Sequence, residues 1–197
     1  MQEFDVAERS ARDNARIVKS AVSPRPIAWI STRNDDGVDN LAPYSSYNYV
    51  SSDQPVVLFN SPNADHDGLK DTARNALDRE EFAVNVVTEP LLSEMDTSSE
   101  RLPADESEFD HVGVERASCR RIDAPRVAEA AVTMECTLYD SMEVHDRIVV
   151  LGDVRYFHVS EDVMTDGTID MRKLPTVGRL GGPYYTVSDR GDFERQF

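Results

Sequence analysis

Apolar positions along the chain come in short β-branched runs cut by polar turns. There is no long stripe at helical spacing. "PIAWIST" (26–32) is such a run, entered through Pro26 and ended by "RNDDG". Its Ile and Trp content and its bounded length predict a strand of about seven residues. Asp36-Gly37 supplies the positive-φ position of a tight turn. "VDNLAPYSSYNYVS" (38–51) follows as a second, more irregular strand, in which Pro43 marks an edge or a bulge. "DQPVVLFNS" (53–61) reads as a third, its unbroken "VVLF" centre pointing to burial within a sheet. "FAVNVVT" (82–88) makes a fourth. "VTMECTLYDSMEV" (132–144) and "DRIVVLGDVRYFHVS" (146–160) are two long runs split by a short polar link, the pattern of a hairpin.

Helical spacing is scarcer. Leu69, Ala73, Ala76 and Leu77 place a short helix over 69–81. Residues 5–21 have helix-friendly composition, with Val6, Ile17 and Val18 their few apolar contacts, and form a short helix or a lead-in. The acidic stretch 88–118 holds one helix at 90–96 and otherwise a long loop. "MTDGTID" (164–170) reads as a turn, and "LPTVGRLGGPYYTVSDRGDF" (174–193) as a glycine-rich irregular tail. No repeat or low-complexity linker divides the chain, and 197 residues suit one domain with a sizeable core. Six or more strands without βαβ alternation predict a mainly β fold, an antiparallel barrel. The pattern speaks against a dinucleotide-binding Rossmann unit. The glycine cluster Gly178, Gly181 and Gly182 lacks the strand–turn–helix context and the following acidic residue.

Charge narrows the partners. The formal net charge is −16, from 37 acidic and 21 basic residues. Nucleic acid and anionic membrane surfaces need a basic face, and no basic stripe is present. Lysine is confined to Lys19, Lys70 and Lys173. Acidity with few lysines resembles proteins adapted to a salt-saturated cytoplasm, where salt screens self-repulsion; an ordinary acidic protein is the plain alternative. Cys119 and Cys136 are too few and too distant for a disulfide framework or a four-ligand zinc site. No apolar run approaches the ~20 residues of a membrane span, and the N-terminal residues show no signal-peptide core. The expectation is a cytoplasmic protein.

Conventional catalytic side chains are sparse. His66, His111, His145 and His158 form no closely spaced ligand pair, so no metal is expected. There is no G-x-S-x-G and no P-loop. Cys136 sits in an apolar strand, where cysteine acts as a small hydrophobe. An enzyme built this way would rely on a bound cofactor. Hydroxyls and amides gather instead at strand ends: Thr32, then Ser45, Ser46 and Asn48, then Asn60 and Ser61. Lys70 and Thr72 open the 69–81 helix. Short neutral donors, one cation and a helix N-terminus are what a phosphate group attracts. The same serines are also turn formers, and Lys70 is also a solvated helix residue.

"SPRPIAWIST", "NLAPYSSYN", "DQPVVLFNS", "KDTARNAL" and "EFAVNVV" follow one another in the order found in the flavin reductase-like family, as do "SEFDHVGVE", "APRVAEAAVTMECTLYD", "IVVLGDVRYFHV" and "VGRLGGPYY". The chain resembles that family over roughly residues 18–186, and most of all its flavoredoxin-like branch. The resemblance implies the FMN-binding split barrel, an antiparallel split β-barrel with a few short helices, in a single domain. It also implies a homodimer with FMN near the subunit interface and NADH or NADPH as electron donor. Carried over, Thr32 and the stretch Pro43, Tyr44, Ser45, Ser46 and Asn48 would line the flavin. Ser45, Ser46, Lys70 and Thr72, beside Asp71, would meet its phosphate. Asn48 and Asn60, next to Ser61, would meet the ring edge or ribityl hydroxyls. Trp29, in mid-strand, belongs to the core or an interface. In one respect the chain departs from the family: where stand-alone reductases often carry a histidine, it has Arg147, with His145 the nearest histidine. Arg147 could meet a cofactor phosphate or pair with the acidic surface, and no catalytic side chain is assigned. The leading reading is an FMN oxidoreductase that passes hydride from NAD(P)H through flavin to an unidentified acceptor. The alternatives are a non-catalytic FMN electron carrier reduced by a protein partner, and a flavin-free structural dimer.

Overall fold

The structure, a computed structural model, describes residues 1–63, 69–189 and 191. A 3-10 turn at Val6–Glu8 leads into helix α1 (Ala11–Ala21), which Ser10 caps by accepting a hydrogen bond from the Asp13 N–H. Strands β1 (Arg25–Pro26), β2 (Ala28–Arg33), β3 (Asp39–Tyr44), β4 (Tyr47–Ser51) and β5 (Val56–Pro62) come next, followed by α2 (Asp71–Asp78) and β6 (Glu81–Val86). The acidic stretch carries α3 (Leu92–Thr97), α4 (Glu108–Val112) and β7 (Arg116–Ala117). β8 (Arg126–Val127), β9 (Val132–Val144) and β10 (Arg147–Val159) precede β11 (Met164–Thr165), β12 (Thr168–Ile169), β13 (Val177–Arg179) and β14 (Tyr185–Val187). Among the described residues, no helix is long and apolar enough to cross a membrane.

Seven strands form one antiparallel sheet in the order β3-β2-β6-β9-β10-β5-β4. β3 and β4 sit on its opposite edges, yet only Ser45 and Ser46 separate them. Three Cα steps span at most about 11 Å, so the sheet must curl until its edges meet at this corner. The Asn60 N–H donates to the Ser46 carbonyl at 3.1 Å and ties the corner to β5. The result is the split barrel that the ordered motifs imply. One strand over 38–51 is corrected here: the run breaks at Ser45-Ser46 and serves both edges. Pro43 lies on the edge strand β3, where its missing N–H costs no ladder bond.

The barrel interior holds Ile30, Phe59, Phe82, Val84, Cys136 and Val150, all buried. Tyr44 and Phe82 pack on either side of Phe59, with ring centroids 5.0 and 5.2 Å away. Gly152 of β10 is required by this packing, since a Cβ there would lie 2.3 Å from Phe82 Cζ. Ala73 and Ala76 of α2 join the same cluster and set that helix against the barrel. A second apolar layer, with Trp29, Leu41, Met95 and Phe109, lies between the sheet and helices α3 and α4. Trp29 is fully buried there and donates from Nε1 to Ser98 Oγ at 2.9 Å, a core residue as expected.

The long β9–β10 hairpin forms as the pattern predicted, and the helix expected over 69–81 forms as the shorter α2, Asp71–Asp78, with Glu81 already in β6. The helix expected at 90–96 appears as a 3-10 turn running into α3. α4 was not expected. Its five residues are too few to show a period, and Gly113 ends it at φ 75°. The tail is less irregular than predicted: β13 pairs with both β1 and β14.

Candidate functional site

The end of β3, the start of α2 and the segment after α3 surround a cavity of about 640 Å³, a volume usual for small-ligand sites. Pro43, Tyr44, Lys70, Asp71 and Thr72 line it, together with Asn40, Arg74, Glu108 and Asp146. Five residues that the sequence singled out therefore converge on one space.

Its floor is a hydrogen-bonded chain. Thr72 donates from Oγ1 to Asn40 Oδ1 at 2.6 Å. Asn40 Nδ2 donates to Glu108 Oε2 at 2.9 Å, and the same oxygen accepts the Leu41 N–H at 2.9 Å. Burial pushes the Glu108 carboxyl above its ordinary range, against the pull of these donors. Burial likewise raises the buried Tyr44 phenol, against the lowering influence of the neighbouring Thr72 and Ser61 hydroxyls.

Cations and carboxylates share the lining, and Lys70 and Arg74 are the cations at the start of α2. Lys70 occupies the N-cap position of α2 and stands exposed, with no capping bond from its side chain. The first N–H groups of α2 and its dipole add positive character. Asp71 would oppose an anion, but Arg74 pairs with it at 2.7 Å. A phosphate would find Lys70, Arg74, Thr72 and the helix N-terminus within one wall of the cavity. A planar cofactor carrying one phosphate fits these donors and this volume.

The other candidates lie off this lining. Thr32 is fully buried behind the wall, accepting from Asn75 Nδ2 at 3.1 Å and donating to Asn40 at 3.4 Å. Ser46 donates its hydroxyl to the Asn60 carbonyl at 2.8 Å, which strengthens the barrel corner. Asn48 is exposed, and its side chain accepts the Tyr49 N–H at 2.9 Å. Ser61 is fully buried beneath Tyr44. Ser45 lines a neighbouring cavity. Sequence reasoning missed Asn40, Glu108 and Asp146. Asn40 and Glu108 stand inside quoted motifs, but neither type signals a site without its partners.

Arg147 lies 3.5 Å from Asp146, the pairing with acidic surface that was one of its two expected roles. His145 occupies the β9–β10 turn at φ 51° and is exposed. His66 lies outside the described residues. The fold also gathers Cys119, Glu135 and His158, whose ligand atoms lie within 4.8 Å of one another. Glu135 is fully buried and accepts the Arg120 and Arg121 N–H groups at 2.7 and 2.6 Å, with His158 Nε2 at 2.5 Å. The two backbone donors pin the loop before β8 to this carboxylate. Burial and the nearby Glu135 push the Cys119 thiol up to about 12, so it is no nucleophile.

Known proteins resemble this chain over nearly its whole length. An uncharacterized protein of Aquifex aeolicus (strain VF5) is 36% identical over 184 residues, covering 93% of this chain and 94% of the relative. Nitrilotriacetate monooxygenase component B from Bacillus cereus superposes with a TM-score of 0.92 at 29% identity, over 99% of this chain and 98% of that one. The 2-nitrobenzoate 2-nitroreductase NbaA of Pseudomonas fluorescens gives a TM-score of 0.89 at 28% identity, over 98% and 96%. The model of the flavin reductase like domain matches residues 20–175, and the chain therefore belongs to that family.

Proposed function

We propose that this protein is an FMN-dependent oxidoreductase that takes hydride from NADH or NADPH and delivers electrons to a further acceptor. The observation that carries the reading is the cavity at the start of α2, where Lys70, Arg74 and Thr72 gather phosphate-binding donors in a chain of net charge −16. Family membership supplies the expectation of a flavin. When bound, the flavin supplies two-electron chemistry, accepting a hydride and a proton and giving both back as two electrons and two protons. The chain's own residues do the holding. Lys70, Arg74 and the α2 N–H groups would neutralise the phosphate. The Thr72–Asn40–Glu108 chain fixes the wall behind it. Pro43 and Tyr44 give a rigid, largely apolar rim that keeps water from one side of the ring.

The test begins with the colour of the purified protein and the flavin it releases on denaturation. Rapid mixing with NADH or NADPH should then bleach the flavin band. A protein that holds FMN yet is bleached by neither nicotinamide would be the electron carrier instead. A protein that does not bind added FMN would overturn both readings.

A further inference from the structure

Beside the candidate flavin cavity lies a second, of about 660 Å³, and Pro43 and Ser99 stand on the walls of both. Its other walls come from α1, β1, α3 and the β13–β14 corner. Four cations line it, Arg16, Lys19, Arg25 and Arg179, against a single carboxylate, Asp96. Asp96 is already engaged, accepting the Tyr185 hydroxyl at 2.5 Å.

Four cations to one carboxylate reverses the balance of a chain whose formal net charge is −16. Arg33, Arg74, Arg79, Arg116, Arg155 and Arg172 each pair with a carboxylate. Among the described residues, none of the four cations at this cavity does. Arg25 donates instead to backbone carbonyls, those of Lys19, Val22 (2.9 Å) and Leu180 (3.2 Å). Arg179 donates to the Gly182 carbonyl at 3.1 Å and lies over the Tyr185 ring, 4.4 Å from its centroid. These bonds fix both guanidinium groups without neutralising either. Burial, and then the repulsion of Arg179, hold Arg25 below its ordinary value. Fixed like charges at the wall of an open cavity are stabilised by an anion between them. Ser20 and Ser45 add hydroxyls to the same wall.

The first cavity has its own phosphate donors in Lys70 and Arg74, so a single mononucleotide phosphate does not account for both sets. A dinucleotide does, because its ring and its diphosphate are far enough apart to occupy adjoining cavities. We propose that the second cavity is an anion subsite for the diphosphate of the nicotinamide dinucleotide, whose ring crosses Pro43 to the first cavity. The proposal rests on the flavin reading above for the ring's destination, and on the four cations alone for the subsite.

Calorimetry at one fixed salt concentration tests it, using inorganic pyrophosphate and ADP-ribose as probes on the protein with and without added FMN. Both probes should bind the wild type. Lys19→Glu changes an exposed side chain, and Arg179→Gln keeps a donor for the Gly182 carbonyl. Each should weaken both probes by about tenfold, with FMN affinity within about twofold of wild type. In turnover the same variants should raise KM for the nicotinamide and leave kcat in place. Failure of the wild type to bind either probe would overturn the proposal, as would variants that bind them unchanged. A loss of FMN affinity in Lys19→Glu would also overturn it, by giving the cavity to the flavin's own phosphate. If FMN does not bind at all, the flavin reading falls, and ADP-ribose binding that Lys19→Glu weakens about tenfold still upholds the subsite.

Discussion

Lys70 and Glu108 mark the two ends of the candidate site, and each makes a separate prediction. Lys70 is exposed at the start of α2, so removing it should leave the fold intact. Lys70→Ala should weaken FMN binding by about tenfold, and a fluorescence titration giving wild-type affinity would remove Lys70 from the site. Glu108 acts through pH. Burial raises its folded-state pKa above the ordinary 4.5, so the folded protein holds this proton more tightly than the unfolded chain does. The stability linked to that proton is fully present below 4.5 and is lost as pH rises through the folded value. Glu108→Gln keeps an acceptor for Asn40 and Leu41 without an ionisable proton. Its melting temperature should therefore fall less than that of wild type as pH is raised from 4.5 towards neutrality. Parallel curves for the two proteins would show that Glu108 stays ionised throughout. Sequence reading reached Lys70 and Thr72 because a rare cation and a hydroxyl open a visible helix. It could not separate them from Thr32 or Ser61. All are hydroxyl or amine groups near element ends, and only the fold shows that Thr32 and Ser61 point into the protein.

Among the elements, the strands with strong local patterns were legible and those defined by their partners were not. The 13-residue strands β9 and β10 carry enough β-branched and apolar positions to declare a hairpin. β3 and β4 look continuous in sequence because two serines do not read as a break. Their separation follows from which edge each half joins, a long-range fact. β13 and β14 have three residues each, and β13 contains Gly178, so no alternation could reveal them. Gly152 shows the same limit from the other side: inside "IVVLGDVRY" it reads as a weak spot, and the fold makes it a contact. A methyl at 152 would meet Phe82 Cζ at 2.3 Å and Cys136 Cβ at 2.9 Å. Gly152→Ala should therefore destabilise the barrel by about 1–3 kcal/mol through overpacking. Chemical denaturation checks this, and a loss under about 0.5 kcal/mol would mean that Phe82 turns aside freely. Because α2 packs on the same apolar cluster, FMN affinity in this variant should fall together with stability.

For the whole molecule the governing quantity is a charge of −16 on 197 residues. We propose that the working form is a homodimer, supported by family membership and by large apolar side chains left exposed on β9 and β10, among them Tyr139, Met142 and Phe157. Joining two such chains brings like charges together, and the bound cofactor adds a negative phosphate. At 0.01 M salt the Debye length is about 30 Å, so this repulsion acts across the entire dimer. At 1 M it is about 3 Å, and only charges in contact still interact. The ion pairs at Asp39, where Arg33 and Arg116 approach to 2.7 and 2.9 Å, are such contacts and should survive salt. Long-range repulsion should vanish first, leaving a net gain. Melting temperature, dimer fraction and flavin retention should therefore all rise as KCl goes from millimolar to molar. Sedimentation and released flavin, measured across the same series, separate the three effects. A melting temperature that stays flat or falls would mean that the acidity is ordinary surface charge and no adaptation to salt. A stable 22.1 kDa monomer at micromolar concentration and high salt would overturn the dimer and leave the cavity at α2 standing by itself.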